Sequence, residues 1–213
     1  MEPESFTLLS YFKMGGVFMW PLLFFSIAAV AIVLERTAYF LYHNLHLTGI
    51  SAQVQGFLRA GDVPGAKAYL SALTKRRMGA RVLLALVNRY ELSEHRIEKA
   101  AEAEAQNCIN SLERGLSFLT ALGSLSPLTG FLGTVSGMIG AFKSIAEAVE
   151  VNAQIVANGI YEALITTVFG LIIAIIAMAA HSVFTHMVDA FAAEVERDCS
   201  ELITEAAILK DHT

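Results

Sequence analysis

The chain has 213 residues, of which 55% are hydrophobic and only 16% charged, and its mean hydropathy is +0.54. So apolar a composition excludes an ordinary soluble enzyme. A net charge of −5 lies far from the basic balance that phosphate neutralisation requires, which argues against nucleic acid as a partner.

Taken in chain order, residues 1–13 read as a short segment outside the membrane. Glu2 and Glu4 then precede a charge-free run, Met14–Leu34, which Glu35 and Arg36 follow without a small-residue cleavage pattern. The run is too long for a signal-peptide core and reads as an uncleaved first transmembrane helix, 14–34. Two further charge-free runs, Gly115–Phe142 and Ala163–Val188, are also long enough to cross about 30 Å of hydrocarbon. They give a second transmembrane helix over 115–142, a short outer loop over 143–154 and a third helix over 155–188. The fold class is therefore an all-α integral membrane protein with three transmembrane helices.

Orientation follows from the basic residues. Eleven of the 15 Lys and Arg fall within 35–114, so this segment is expected in the cytoplasm, the N-terminus outside and the C-terminal helix, 189–213, inside. Cys108 and Cys199 then lie where thiols stay reduced, and no disulfide framework is implied.

Segment 35–114 reads as helical throughout. Gly61-Asp62-Val63-Pro64 supplies a turn, an N-cap and a proline tolerated in a first helical turn, ahead of an Ala-rich helix to Leu73. Ser93 is a candidate N-cap for the next helix. Ile97, Ala101, Ala105, Cys108, Ile109, Leu112 and Leu116 follow it at helical spacing. This stripe enters the second span without a Pro or Gly before Gly115, which predicts a membrane helix with a long cytoplasmic extension. Asp189–Leu209 extends the third span similarly, with an apolar face at Ala192, Val195, Cys199, Leu202, Ile203 and Ala206.

The second span carries Gly130, Gly133, Gly137 and Gly140, and the third carries Ala163, Thr167, Gly170, Ala174, Ala177 and His181 as a stripe. Small residues let helix backbones approach closely in lipid, so helix packing is expected at Gly130, Gly133, Gly137 and Gly170. Ile165, Phe169, Ile172, Ile173 and Ile176 occupy other faces, suited to lipid or hydrophobic neighbours.

Polar groups are mixed into these stripes. Thr134 shares a face with Gly130 and Gly137, and Thr166 and Thr167 lie about one turn beyond Glu162. A threonine hydroxyl in a helix readily bonds back to its own backbone. Glu162 is more telling, because an ionised carboxylate facing lipid is costly. It reads either as an ion-pathway carboxylate facing water or as an interfacial group favoured by the helix N-terminus. Pro127 is either a local bend or a tolerated membrane proline. His181 and His186 read as interfacial, and His43 and His46 lack the company a metal site needs. Neither a phosphate-binding loop, a nucleophile elbow nor a zinc motif is present, so no cofactor, no metal and no enzymatic activity are expected.

Ser126-Pro-Leu-Thr-Gly-Phe-Leu-Gly-Thr-Val-Ser-Gly137 and Gly159-Ile-Tyr-Glu-Ala-Leu-Ile-Thr-Thr-Val-Phe-Gly-Leu171 resemble the two motifs of the MotA/TolQ/ExbB proton-channel family, in its ExbB/TolQ branch. Leu34-Glu35-Arg36, the Arg59–Asp62 turn and the three-span layout agree along nearly the whole chain, and three spans rather than four favour this branch over flagellar stators.

The resemblance implies a multi-pass protein of the bacterial inner membrane, with 1–13 and 143–154 in the periplasm. It implies a homopentamer whose pore holds two copies of an ExbD/TolR-like single-span partner bearing a membrane aspartate. It assigns ion-pathway roles to Thr134, Glu162 and Thr167. Thr166 is placed on the same ion pathway, although it departs from the small apolar residue common at its place and adds a hydroxyl that bears on the choice of proton or sodium. The expected function is an ion-channel or stator subunit coupling proton-motive force to outer-membrane transport, envelope maintenance or motility. The alternative is an oligomeric membrane scaffold without ion conduction. A small secondary transporter is a weaker rival, since no inverted repeat is present.

Overall fold

The computed structural model describes residues 12, 14–47, 49–147 and 153–211. Apart from Phe12, the expected N-terminal segment lies outside the described residues, as do 148–152 of the expected outer loop and the last two residues of the C-terminal helix. Among the described residues the chain is all-α: α1 (Met19–Tyr42), α2 (Ile50–Arg59), α3 (Val63–Leu73), α4 (Met78–Asn88), α5 (Glu94–Glu113), α6 (Leu116–Glu147) and α7 (Ala153–Asp211). Among the described residues three helical stretches are long and apolar enough to cross a membrane; they contain the second and third charge-free runs whole and the first from Met19 onward. The chain divides into two compact units, one of residues 1–34 with 115–182 and one of residues 35–114 with 183–213.

The first unit holds the charge-free part of α1, all of α6 and the first half of α7. A turn leads into α1, with Gly16 at φ +65° and the Met19 N–H donating to the Gly16 carbonyl at 3.3 Å. Pro21 falls in the first turn of α1, where a missing N–H costs nothing. One side of α1 is buried through Met19, Leu22 and Ala29, while Trp20, Phe24, Ile27 and Leu34 are exposed. Phe169, Ile172, Ile173 and Ile176 of α7 share an apolar groove of about 470 Å³ with the α1 residues Met19–Val30, so this isoleucine face meets hydrophobic neighbours. Exposed apolar side chains continue along α6 and α7, as expected where the surrounding solvent is hydrocarbon.

The second unit is built of α2–α5 with the last turns of α1 and the second half of α7. A Schellman motif ends α2: Gly61, at φ +72°, donates to Leu58, and Asp62 to Phe57, at 3.0 and 2.9 Å. The Asp62 carboxylate then caps α3 by accepting from the Gly65 N–H at 2.8 Å, as the turn chemistry predicts. Ser93 occupies the N-cap of α5, yet its hydroxyl makes no capping bond; its carbonyl accepts from Arg96 and Ile97 instead. The α5 stripe is buried at Ile97, Ala101, Cys108 and Leu112, and the α7 stripe at Val195, Cys199, Leu202 and Ala206.

Two details differ from the reading of the sequence. The stripe of α5 does not run unbroken into the second span: the helix stops at Glu113 and resumes at Leu116, because Gly115 adopts φ +90°, a conformation without penalty only for glycine. Conversely, α1 continues past the charges at Glu35 and Arg36 to Tyr42. Arg36 is buried there, held by Glu35 and by the Ser111 carbonyl at 3.3 Å, and burial of a charge is tolerated when it is paired in this way.

Candidate functional site

The second and third spans meet along their glycines. Gly130, Gly133 and Gly137 are buried on α6, and Ala163, Thr166, Gly170, Ala174 and Ala177 on α7. A Cβ on Gly130 would stand 2.8 Å from the Thr166 carbonyl, and one on Gly170 would stand 2.5 Å from the Ser126 carbonyl. One on Gly137 would lie 3.1 Å from the Gly159 carbonyl. Thr166 fills the space that a side chain on Gly133 would occupy. Each small residue is therefore matched to backbone or to one short side chain across the interface, which is how helices gain van der Waals contact where no hydrophobic force drives them together.

Within this interface the hydroxyls are concentrated. Thr166, 1% exposed, has its hydroxyl 2.8 Å from the Ala163 carbonyl and 3.2 Å from that of Gly130. The half-buried Thr167 donates to the same Gly130 carbonyl at 3.3 Å. Glycine at 130 makes this convergence feasible, since any side chain there would collide with the backbone of Thr166 and Thr167. One turn earlier on α6, Ser126 is fully buried and donates to the Leu122 carbonyl at 2.6 Å. Pro127 lies inside α6 and, lacking an N–H, deprives the Gly123 carbonyl of its usual helical donor.

Thr134 and Glu162 stand differently. The half-buried Thr134 donates to Phe131 of its own helix at 2.6 Å, the back-bonding that a lone helical threonine favours. Glu162 is also half-buried. Its carboxylate lies over Gly16, in the place a side chain on that residue would take, and among the described residues no cation pairs with it. The structure thus brings Thr166, Thr167, Gly130, Gly133 and Gly170 into one α6–α7 contact, and sets Glu162 against the turn before α1.

Ser126, Gly159 and Gly16 belong to this arrangement but were not singled out from the sequence. The first two lie inside the motif segments, where their helical spacing to Gly130 and Ala163 was available as a signal. Gly16 is distant from Glu162 in the chain, and only the fold joins them.

The fold and this contact define an all-α protein with three helices able to cross a membrane, the second and third joined by glycines around a shared carbonyl and two threonines. Residues 69–197 match the model of the MotA/TolQ/ExbB proton channel family. The chain is 30% identical over 187 residues to biopolymer transport protein exbB1 of Vibrio cholerae, covering 85% of this chain and 80% of that one. It is 32% identical over 172 residues to an ExbB-like biopolymer transport protein of Synechocystis sp., with 80% and 81% covered. To the Tol-Pal system protein TolQ of Haemophilus influenzae it is 40% identical over 97 residues, with 46% and 41% covered. This chain is a member of the MotA/TolQ/ExbB proton channel family, in its ExbB/TolQ branch.

Proposed function

We propose that the chain is the channel-forming stator subunit of a bacterial inner-membrane motor, which couples proton-motive force to mechanical work through an ExbD/TolR-like single-span partner. Family membership supports ion conduction and a partner of this kind, and the relatives' names point to biopolymer transport or to a Tol-Pal system as the process served. In this reading five copies surround a pore holding two partner helices, with the 35–114 segment and the C-terminal helix in the cytoplasm.

The observation that carries the proposal is the convergence of Thr166 and Thr167 on the Gly130 carbonyl at 3.2 and 3.3 Å. Of the two, the half-exposed Thr167 leaves a polar group on a surface that is otherwise largely apolar. Protons enter past Glu162, reach the partner's membrane aspartate beside Thr134 and Thr167, and leave toward the cytoplasm. Neutralising the aspartate lets its helix move along the apolar wall, and deprotonation halts it again, because a charge there is costly without a polar partner. The Thr167 hydroxyl, bonded at rest to Gly130, is positioned to turn toward that acid. Thr166 is held by two carbonyls and serves to fix the α6–α7 contact.

Native mass measurement of the full chain, purified in detergent alone and with single-span partners bearing a membrane aspartate, tests the assembly. A five-copy ring that captures two partner chains is expected. A stable assembly of other stoichiometry that captures no partner favours the scaffold reading.

A further inference from the structure

Lys75, Arg76 and Arg77 follow one another in the turn between α3 and α4, the first two exposed and the third half-buried. Among the described residues none of the three joins an ion pair, whereas Arg36, Arg59, Arg81, Lys99 and Arg197 each meet a carboxylate. Three adjacent like charges repel one another, so this turn gains nothing within the second unit from being basic.

Its position in that unit is nevertheless fixed. The Asn44 N–H donates to the Arg76 carbonyl at 3.0 Å, and Asn44 forms an isolated parallel bridge with Arg77. Three residues on, the fully buried Leu47 fills the space beside Gly79 at the start of α4, and its N–H donates to Glu194 at 2.9 Å. The basic turn is thus tied to the segment that immediately follows α1.

That end of α1 has the character of a membrane boundary. Leu41 is 81% and Tyr42 64% exposed, and Tyr39, Tyr42 and His43 form a ring cluster with centroids 4.4 and 5.1 Å apart. Exposed aromatic and aliphatic surface of this kind sits at headgroup level. Charges near such a surface act over about 8–10 Å in physiological salt. Asn44 follows Tyr42 by two residues, and the basic turn is tied to it.

We propose that Lys75, Arg76 and Arg77 form a docking surface for the anionic phospholipid headgroups of the leaflet from which α1 emerges. The inference rests on the topology proposed above, which makes this the cytoplasmic leaflet. An acidic polypeptide would satisfy the same charges, but the exposed Leu41 and Tyr42 just ahead of Asn44 favour lipid.

The test uses the full chain in nanodiscs of phosphatidylcholine with a rising fraction of phosphatidylglycerol, read by an environment-sensitive fluorophore on Ser71→Cys. Cys108 and Cys199 are buried and stay unlabelled. A saturating emission change is expected, with a midpoint shifted roughly fivefold by Arg76→Gln, abolished by Gln at all three positions and retained in Lys75→Arg. An unchanged response in the triple variant, or a response only to an added acidic polypeptide, overturns the proposal. The same cysteine probed in intact cells with a membrane-impermeant thiol reagent reads topology separately. Labelling from outside overturns the topology and this inference together, whereas protection from labelling with no lipid response overturns this inference alone.

Discussion

Gly170 approaches Ser126 so closely that a Cβ on the glycine would stand 2.5 Å from the serine carbonyl oxygen. The contact is backbone against backbone, and no rotamer change relieves it. Gly170→Ala is therefore expected to destabilise the α6–α7 pair by about 1–3 kcal/mol, as overpacking does, and Gly130→Ala, with the Thr166 carbonyl 2.8 Å away, to act likewise. Gly140 has nothing within 4 Å of its Cβ position, so Gly140→Ala should be neutral or slightly stabilising. Thermal unfolding in detergent, compared across the three variants, checks the order.

Thr166 and Thr167 share one acceptor but differ in burial. Thr166→Val keeps the shape that fills the space beside Gly133 and removes one hydroxyl, a loss of about 0.6 kcal/mol for a typical interhelical bond in a membrane. Thr166→Leu overfills the same space and is expected to cost about 1–3 kcal/mol. A Leu variant no less stable than Val, by the same unfolding measurement, would contradict the tight fit.

Gly16 lies under the Glu162 carboxylate at φ +65°. Gly16→Ala is strained by its backbone and also displaces the carboxylate. Under the proposed pathway it should lower proton flux toward that of Glu162→Gln while leaving the native mass of the assembly unchanged. Normal flux in Gly16→Ala would separate the carboxylate's position from conduction.

Burial raises the Cys108 thiol from its ordinary 9.0 to about 11 and Cys199 to about 12. Both stay neutral near pH 8, where the thiolate is the reactive form, so a disulfide reagent should react slowly until the second unit unfolds. The sign of the linkage follows from the raised values. The unfolded chain releases these protons first, so stability is fully present below about pH 9 and falls as pH rises through about 11–12. Cys108→Ala with Cys199→Ala should flatten that alkaline decline.

The spans were legible because charge-free runs of such length have few other uses, and the small-residue faces followed from helical spacing. The break at Gly115 was not, since a glycine inside an apolar stripe looks the same whether its φ is negative or, as here, +90°. Where α1 passes Arg36, the buried guanidinium meets the Ser111 carbonyl, 75 residues away in sequence. Thr166 and Thr167 differ by only one position around the helix, and which of them is enclosed is decided by the place of Gly130 and Gly133. Gly16 and Glu162 are joined by the fold alone.

Proton flux into liposomes holding the full chain with a single-span partner that bears a membrane aspartate tests ion conduction most directly. Flux is expected with both chains present, and is expected to be lost on replacing the partner's aspartate by Asn or Thr167 by Val, with the complex still intact. An intact complex that passes no protons, or passes them equally well with Thr167→Val, would contradict the proposed pathway.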